Sequence, residues 1–194
     1  MPGRSNGTVV QASHTTIAEI VAFWFAAGME KRWFVRDPAF DAEVRTRLAE
    51  WYERAATGGL DDWRDTAAGS VALCVLLDQV PRNLFRGQDH AFATDALART
   101  VAGHAVDRGH DRAVPQAQRV FLYLPYEHSE SLADQDVSVR LFGQLDENTQ
   151  WLDYAIRHRD VIARFGRFPH RNAALGRPNT AEETAFLATP GSSF

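Results

Sequence analysis

Apolar residues recur at three- and four-residue spacing along almost the whole chain. Ile17, Ile20, Val21, Trp24 and Phe25 make the first such stripe. It predicts a helix capped by Thr15 or Thr16, with Glu19 in its first turn and Gly28 closing it after Ala27. Trp33 and Phe34 follow in a connector and are expected to pack inward. Asp37-Pro38 is a start signal, a capping acid followed by proline at the first helical position. The second helix then carries Phe40, Val44, Leu48 and Trp51 or Tyr52 to a stop at Gly58-Gly59, and Leu60 and Trp63 anchor the next turn. Val71 to Val80 is apolar nearly throughout, which alone does not separate a buried strand from a buried helix. Asp78 and Arg82 continue the run at four-residue spacing and favour helix, which Pro81 should kink or end.

Further helices are predicted from Asp89 to Arg108 before Gly109, and from Pro115 through Val120, Phe121 and Leu124 to Pro125. Others run from Leu132 to Leu145, and from Asn148 through Trp151, Leu152, Ala155, Ile156, Val161 and Ile162. A last short one follows the Asn179-Thr180 cap, with Glu182 and Glu183 in its first turn. The closing TPGSSF tail reads as coil that docks through Phe194. Strand signals are almost absent. About eight helices with short connectors predict an all-α chain of antiparallel neighbours, either an irregular bundle or stacked helical hairpins. No regular repeat is visible. Residues 1–14 read as a flexible lead and residues 15–194 as one helical domain.

Composition changes this picture little. The chain has 194 residues, 45% hydrophobic and 24% charged, enough apolar material for a sizeable core. A net charge of -4 argues against nucleic acid as a partner. No apolar run is long enough for a membrane span. Met1 to His14 lacks the apolar core of a secretory signal. Cys74 is the one cysteine and sits in the apolar run, so it reads as a small buried hydrophobe in a reducing compartment. The expected location is the cytoplasm.

Charge is distributed unevenly, and that changes the picture more. Arg157 to Arg177 gathers Arg157, Arg159, Arg164, Arg167, Arg171 and Arg177 with His158 and His170, against the single acid Asp160. Phe165, Phe168 and Pro169 are interleaved. A solvated face mixes signs and avoids large apolar residues, so this stretch predicts a partly buried, positively charged wall. Asp153-Arg157 and Asp160-Arg164 have the spacing of ion pairs on one helix. A second constellation lies between Leu76 and Gly87, where Asp78, Arg82 and Arg86 fall on one helical line beside a very apolar face. The third runs from Phe121 to Gln135. There Pro125 should disturb the helix before Glu127, His128, Ser129 and Glu130, and Ser129 or Ser131 can cap the next helix, Ser131 with Asp134 as its box partner. His128 follows a buried-looking helix and precedes an acid able to set its tautomer.

These stretches, LLDQVPRNLFRG, AFATDA, FLYLPYEHSE, RHRDVIARFGRFPHRN and the final FLATPGSSF, together resemble the bacterial domain of unknown function numbered 924. KRWFVRDPAFDAEVR and GGLDDW fit it too, so the resemblance covers about residues 17 to 194. It implies a tetratricopeptide-like all-helical fold and points to the same three motifs.

The functional expectation is a small-molecule enzyme acting on an anionic substrate, a carboxylate or a phosphate. His128 and His170 are the candidate general acids or bases, with Glu130 as a catalytic partner. Asp78, Arg82, Arg86, Arg157, Arg164, Arg171 and Asn172 are the candidate substrate-binding residues, because arginine forks suit carboxylate and phosphate. No cofactor is expected. A metal would fall to His128, Glu130, His158 and His170, although no diagnostic ligand spacing is present. Two alternatives stand beside the enzyme: a helical module that grips an acidic peptide without catalysis, and a network of buried ion pairs with a purely structural role. A closed pocket favours the enzyme and an open groove the module.

Overall fold

The structure is a computed structural model, and it describes residues 16–145 and 149–192. The Thr15 cap, the Asn148 start, the lead before residue 15 and Phe194 lie outside the described residues. Among the described residues the chain is helical and without strand. A first helix, α1, spans residues 16–24, and α2 spans Pro38–Ala56. Asp37 caps α2 by accepting hydrogen bonds from the backbone N–H groups of Ala39 and Phe40, as the Asp-Pro signal predicts.

The apolar run becomes one continuous rod: α3 at Ala67–Cys74, a π-helical turn at Val75–Gln79, and α4 at Val80–Leu84. Pro81 therefore does not end the helix. The wider turn shifts the register, so that Val80 N–H donates to Val75 O. In an ordinary α-helix Pro81 would leave the Leu77 carbonyl without its donor. Here the Thr94 hydroxyl supplies that bond.

The remaining helices are α5 at Asp95–Asp107, α6 at Gln116–Glu127, α7 at Leu132–Phe142, α8 at Thr149–Phe165 and α9 at Ala181–Leu187. Pro125 does not break α6 either; the helix runs through it to Glu127, and His128 N–H still reaches Leu124 O at 2.9 Å. The α7 cap also differs from expectation. Ser131 makes no side-chain cap, and Ser129 instead donates to Asp134 Oδ2 at 2.6 Å and accepts from Ser131 N–H. At α9 the expected capping box forms, with Thr180 and Glu183 bonding each other's backbone N–H.

Consecutive helices pack against one another: α5 on α6, α6 on α7 and α7 on α8, while α3 lies against α5 and α6 and α2 against α4. The core runs between them from Trp24, Phe40 and Tyr52 through Leu76, Phe121 and Tyr123 to Leu141 and Phe142, all close to fully buried. Cys74 is buried in it, as read from the sequence. Val161, Ile162 and Phe168 form a smaller second cluster, with Phe165 and Phe186 against it. After α8, Gly166 takes a φ of 69°, a left-handed turn that favours glycine, and the chain folds back. That reversal carries Phe168, His170 and Arg171 to the π-helical turn and the end of α6.

Candidate functional site

The reversal brings parts of all three charged motifs together around one cavity of about 430 Å³. Its inner lining comes from Gln79 and Arg82 of the rod, His128 after α6, His158 of α8, and His170 and Arg171 of the short 3₁₀ turn Pro169–Arg171. Trp33, Phe34, Arg36, Arg86 and Phe92 line the rest. Phe34 is 54% exposed, so it does not pack inward as expected but stands at the mouth. Trp33 is held by its indole N–H on Trp24 O at 2.9 Å.

Asp78 organises the inner part. It is 1% exposed, and the two oxygens of its carboxylate lie 2.8 and 3.0 Å from His128 Nδ1. Gln79 Nε2 donates to Asp78 Oδ2 at 2.6 Å, and Arg82 pairs with Asp78 Oδ1 at 3.2 Å. Burial works to raise the Asp78 carboxyl, but Arg82, His128 and Gln79 together hold it well below the usual carboxylate range. A carboxylate can only accept, so His128 carries its proton on Nδ1 and keeps Nε2 as an acceptor. Burial, then the Arg82 charge, pulls the His128 imidazole below its ordinary value despite the pull of Asp78 the other way. It is a neutral base.

The arginines are fixed by one shared acid. Asp95 takes both nitrogens of Arg82 at 2.9 and 3.1 Å, and also Arg171 at 3.1 Å. Arg171 donates a further bond to His128 O at 3.0 Å, and its guanidinium lies 4.6 Å from the Phe92 ring centre and 4.7 Å from that of Phe168. It is 6% exposed, and burial followed by the nearby Arg82 brings its guanidinium down to about 10. Its Nε has no hydrogen-bond partner. Burial, then Arg171 and His128, lowers His170 to about 4. The lining carries several arginines, and its imidazoles are held neutral by burial first and by that charge second.

Other candidate residues stand elsewhere. Arg157 is exposed and lies over the Tyr154 ring, with its guanidinium 5.6 Å from the centre. Arg164 is exposed too and pairs with Glu182 at 2.8 Å, while Asp160 pairs with Arg159. The helical period puts both arginines on the outer face of α8, opposite buried Ala155, His158 and Ile162. Glu130 does not orient a histidine. It accepts a fork from Arg177 at 2.7 and 2.9 Å and the Phe168 N–H at 2.8 Å. Asn172 is buried between Arg177 and Asn179 and holds the turn rather than the cavity. Arg86 lies beyond the end of α4, where Asp41 of α2 binds it bidentately at 2.7 and 2.8 Å, so it lines the cavity already paired. Among the described residues no group of three His, Cys, Asp or Glu side chains is placed to hold a metal ion. The set His128, Glu130, His158 and His170 does not assemble, because Glu130 belongs to Arg177.

Two residues of the site were not singled out from sequence in these roles: Asp95, which ties the two arginines, and Phe92 of the aromatic wall. Asp95 sits in the AFATDA motif, a visible signal. Nothing in its spacing joins it to Arg171.

A family model described as bacterial protein of unknown function (DUF924) matches residues 20–191. A solved structure of a protein of unknown function from Agrobacterium tumefaciens is 46% identical, covering 91% of this chain and 98% of that one, with a TM-score of 0.86. No curated protein matches.

Proposed function

The chain belongs to the bacterial DUF924 family, and from its cavity we propose that it is a small-molecule enzyme whose substrate is an anion, a carboxylate or phosphate compound. The observation that carries this reading is the Asp78–His128 pair, at 2.8 Å, beside an arginine-lined cavity. An orienting carboxylate behind an imidazole fixes the tautomer and leaves Nε2 as a general base. Arg82 and Arg171 are the anion-binding groups. Their planar forks are already aimed by Asp95, so little ordering remains to be done when a ligand enters. Convergence of Arg82, His128, His170 and Arg171 on one cavity favours an enzyme over a peptide-gripping module.

His128 takes a proton from the substrate or from a water it activates, and Asp78 stabilises the imidazolium that results. His170 is the second imidazole on the same wall. The scaffold is a tetratricopeptide-like stack of helices, and its working place is the cytoplasm, where the free thiol of Cys74 stays reduced. Among the described residues no helix is long and apolar enough to cross a membrane.

Two measurements test the reading. Sodium sulfate or malonate should raise the melting temperature above sodium chloride of matched ionic strength. Saturation at about a hundred times Kd is worth about 2.7 kcal/mol. Arg171→Gln should remove the effect and Arg164→Ala should keep it. A bacterial small-molecule extract, followed by mass spectrometry, should lose an anionic compound to the wild type but not to His128→Gln. Binding without turnover would replace the enzyme with a binding module, and equal responses to sulfate and chloride would remove the anion.

A further inference from the structure

Behind His158 sits a carboxyl with no evident structural task. Glu127 closes α6, one residue before His128, and is 3% exposed. Its Oε2 has no hydrogen-bond partner, and its Oε1 lies 3.5 Å from His158 Nδ1. An unsatisfied polar group in the interior destabilises a fold. His158 lines the cavity, and its ring centre is 6.3 Å from that of His128. The molecule thus holds two adjacent carboxyl–imidazole pairs, Asp78 with His128 and Glu127 with His158.

We propose that Glu127 and His158 form a second arm of the site, which gives a proton to the bound anion while the Asp78–His128 arm removes one. This rests on the reading above that the cavity holds an anionic substrate. The two carboxyls are held in opposite states. Asp78 is ionised by its cationic and hydrogen-bonded neighbours. Burial, with Asp78 nearby, pushes Glu127 up to about 8, so it is a protonated acid at neutral pH. Two carboxyls in one site driven apart in this way mark a base and an acid.

His158 sets the direction of delivery. Its Nδ1 lies 2.8 Å from the Tyr154 carbonyl, so Nδ1 carries a hydrogen and Nε2 is the second nitrogen of the arm. Burial holds its imidazole down at about 3, with His128, His170 and Arg171 adding to the effect and Tyr154 opposing it. An anion in the cavity offsets that positive surrounding and raises His158. The acid proton of Glu127 then leaves to solvent, and His158 Nε2, on the cavity side, takes one up from solvent there. Pair charge stays constant, and the product is a carboxylate facing an imidazolium. In the transfer itself the His158 Nε2–H bond breaks and a substrate–H bond forms, while a substrate proton passes to His128 Nε2. Solvent then reprotonates Glu127 and takes the proton from His128. A site with both arms suits a proton shift or an elimination, in which one proton leaves as another arrives.

Glu127 acts through His158 and is a positioning residue, so its test reads protonation rather than rate. The full chain, labelled with ¹⁵N-histidine, is followed by long-range ¹H–¹⁵N spectra at neutral pH, with sodium sulfate or malonate at saturation and with matched sodium chloride. Without anion His158 should show the neutral tautomer with its hydrogen on Nδ1. A saturating dianion should move Nε2 to the position of a protonated nitrogen, and chloride should not. In protein that also carries ¹³C-glutamate, the ¹³Cδ resonance of Glu127 should move from acid to carboxylate in the same titration. Glu127→Gln should still bind the dianion but leave His158 neutral. A neutral His158 in the saturated wild type, or equal charging in Glu127→Gln, overturns the second arm alone. Failure of both probes to bind removes the anion reading, and this one with it.

Discussion

Glu127→Gln should stabilise the protein progressively as pH rises. In the unfolded chain the carboxyl titrates near 4.5, and in the folded protein burial carries it to about 8. Between those values the folded state binds a proton that the unfolded state has lost, so folding weakens as pH rises through that window. At about 1.4 kcal/mol per pH unit the full difference is about 5 kcal/mol. About 3 kcal/mol of it falls between pH 5 and pH 8. The buried histidines act in the other direction. His158 and His170 are lowered to about 3 and about 4, so stability falls below their ordinary range as pH drops. The two trends overlap in the wild type, and only the difference between wild type and variant isolates Glu127. Gln keeps the size of the neutral acid and cannot ionise. Urea unfolding at several pH values, with matched ionic strength and a check that the m-value is unchanged, gives that difference. The variant should gain about 3 kcal/mol on the wild type from pH 5 to pH 8. A difference that stays constant across the range would refute the account of Glu127 as a buried neutral acid.

Asp78→Asn should destabilise by about 3 kcal/mol, the low end for breaking a buried pair, because Arg82 keeps Asp95; urea unfolding checks it, and a loss under about 0.5 kcal/mol, the scale of a bland surface change, would show that the site is not organised on this carboxylate. Arg164→Ala and Arg157→Ala should each change stability by less than about 1 kcal/mol, since both arginines are exposed. A large loss in either would return the outer face of α8 to the core of the fold.

Much of the helical layout was legible in the chain because it rests on local physics. The apolar period, the Asp37-Pro38 start, the Gly58-Gly59 stop and the Thr180 cap with Glu183 each act within a few residues. The two prolines mark where local rules end. Pro81 continues the rod because a π-helical turn shifts the register and Thr94, from another segment, donates to the freed Leu77 carbonyl. No window around Pro81 contains Thr94.

The site divides along the same line. Sequence alone marked Asp78, Arg82, His128, His170 and Arg171, because charge in an apolar setting requires an explanation wherever it falls. It marked Arg157 and Arg164 equally, since composition weighs every arginine of a cluster alike. Burial separates them: α8 turns His158 inward and both arginines outward, and the Gly166 reversal swings Arg171 onto Asp95. Glu130 and Glu127 show the same sorting. Both lie within two residues of His128 in sequence, yet Arg177 arrives to neutralise one, while the other has the neutral imidazole of His158 beside it. A carboxyl becomes an ion-pair partner or a buried acid according to what packs against it, and that is settled only when distant segments meet.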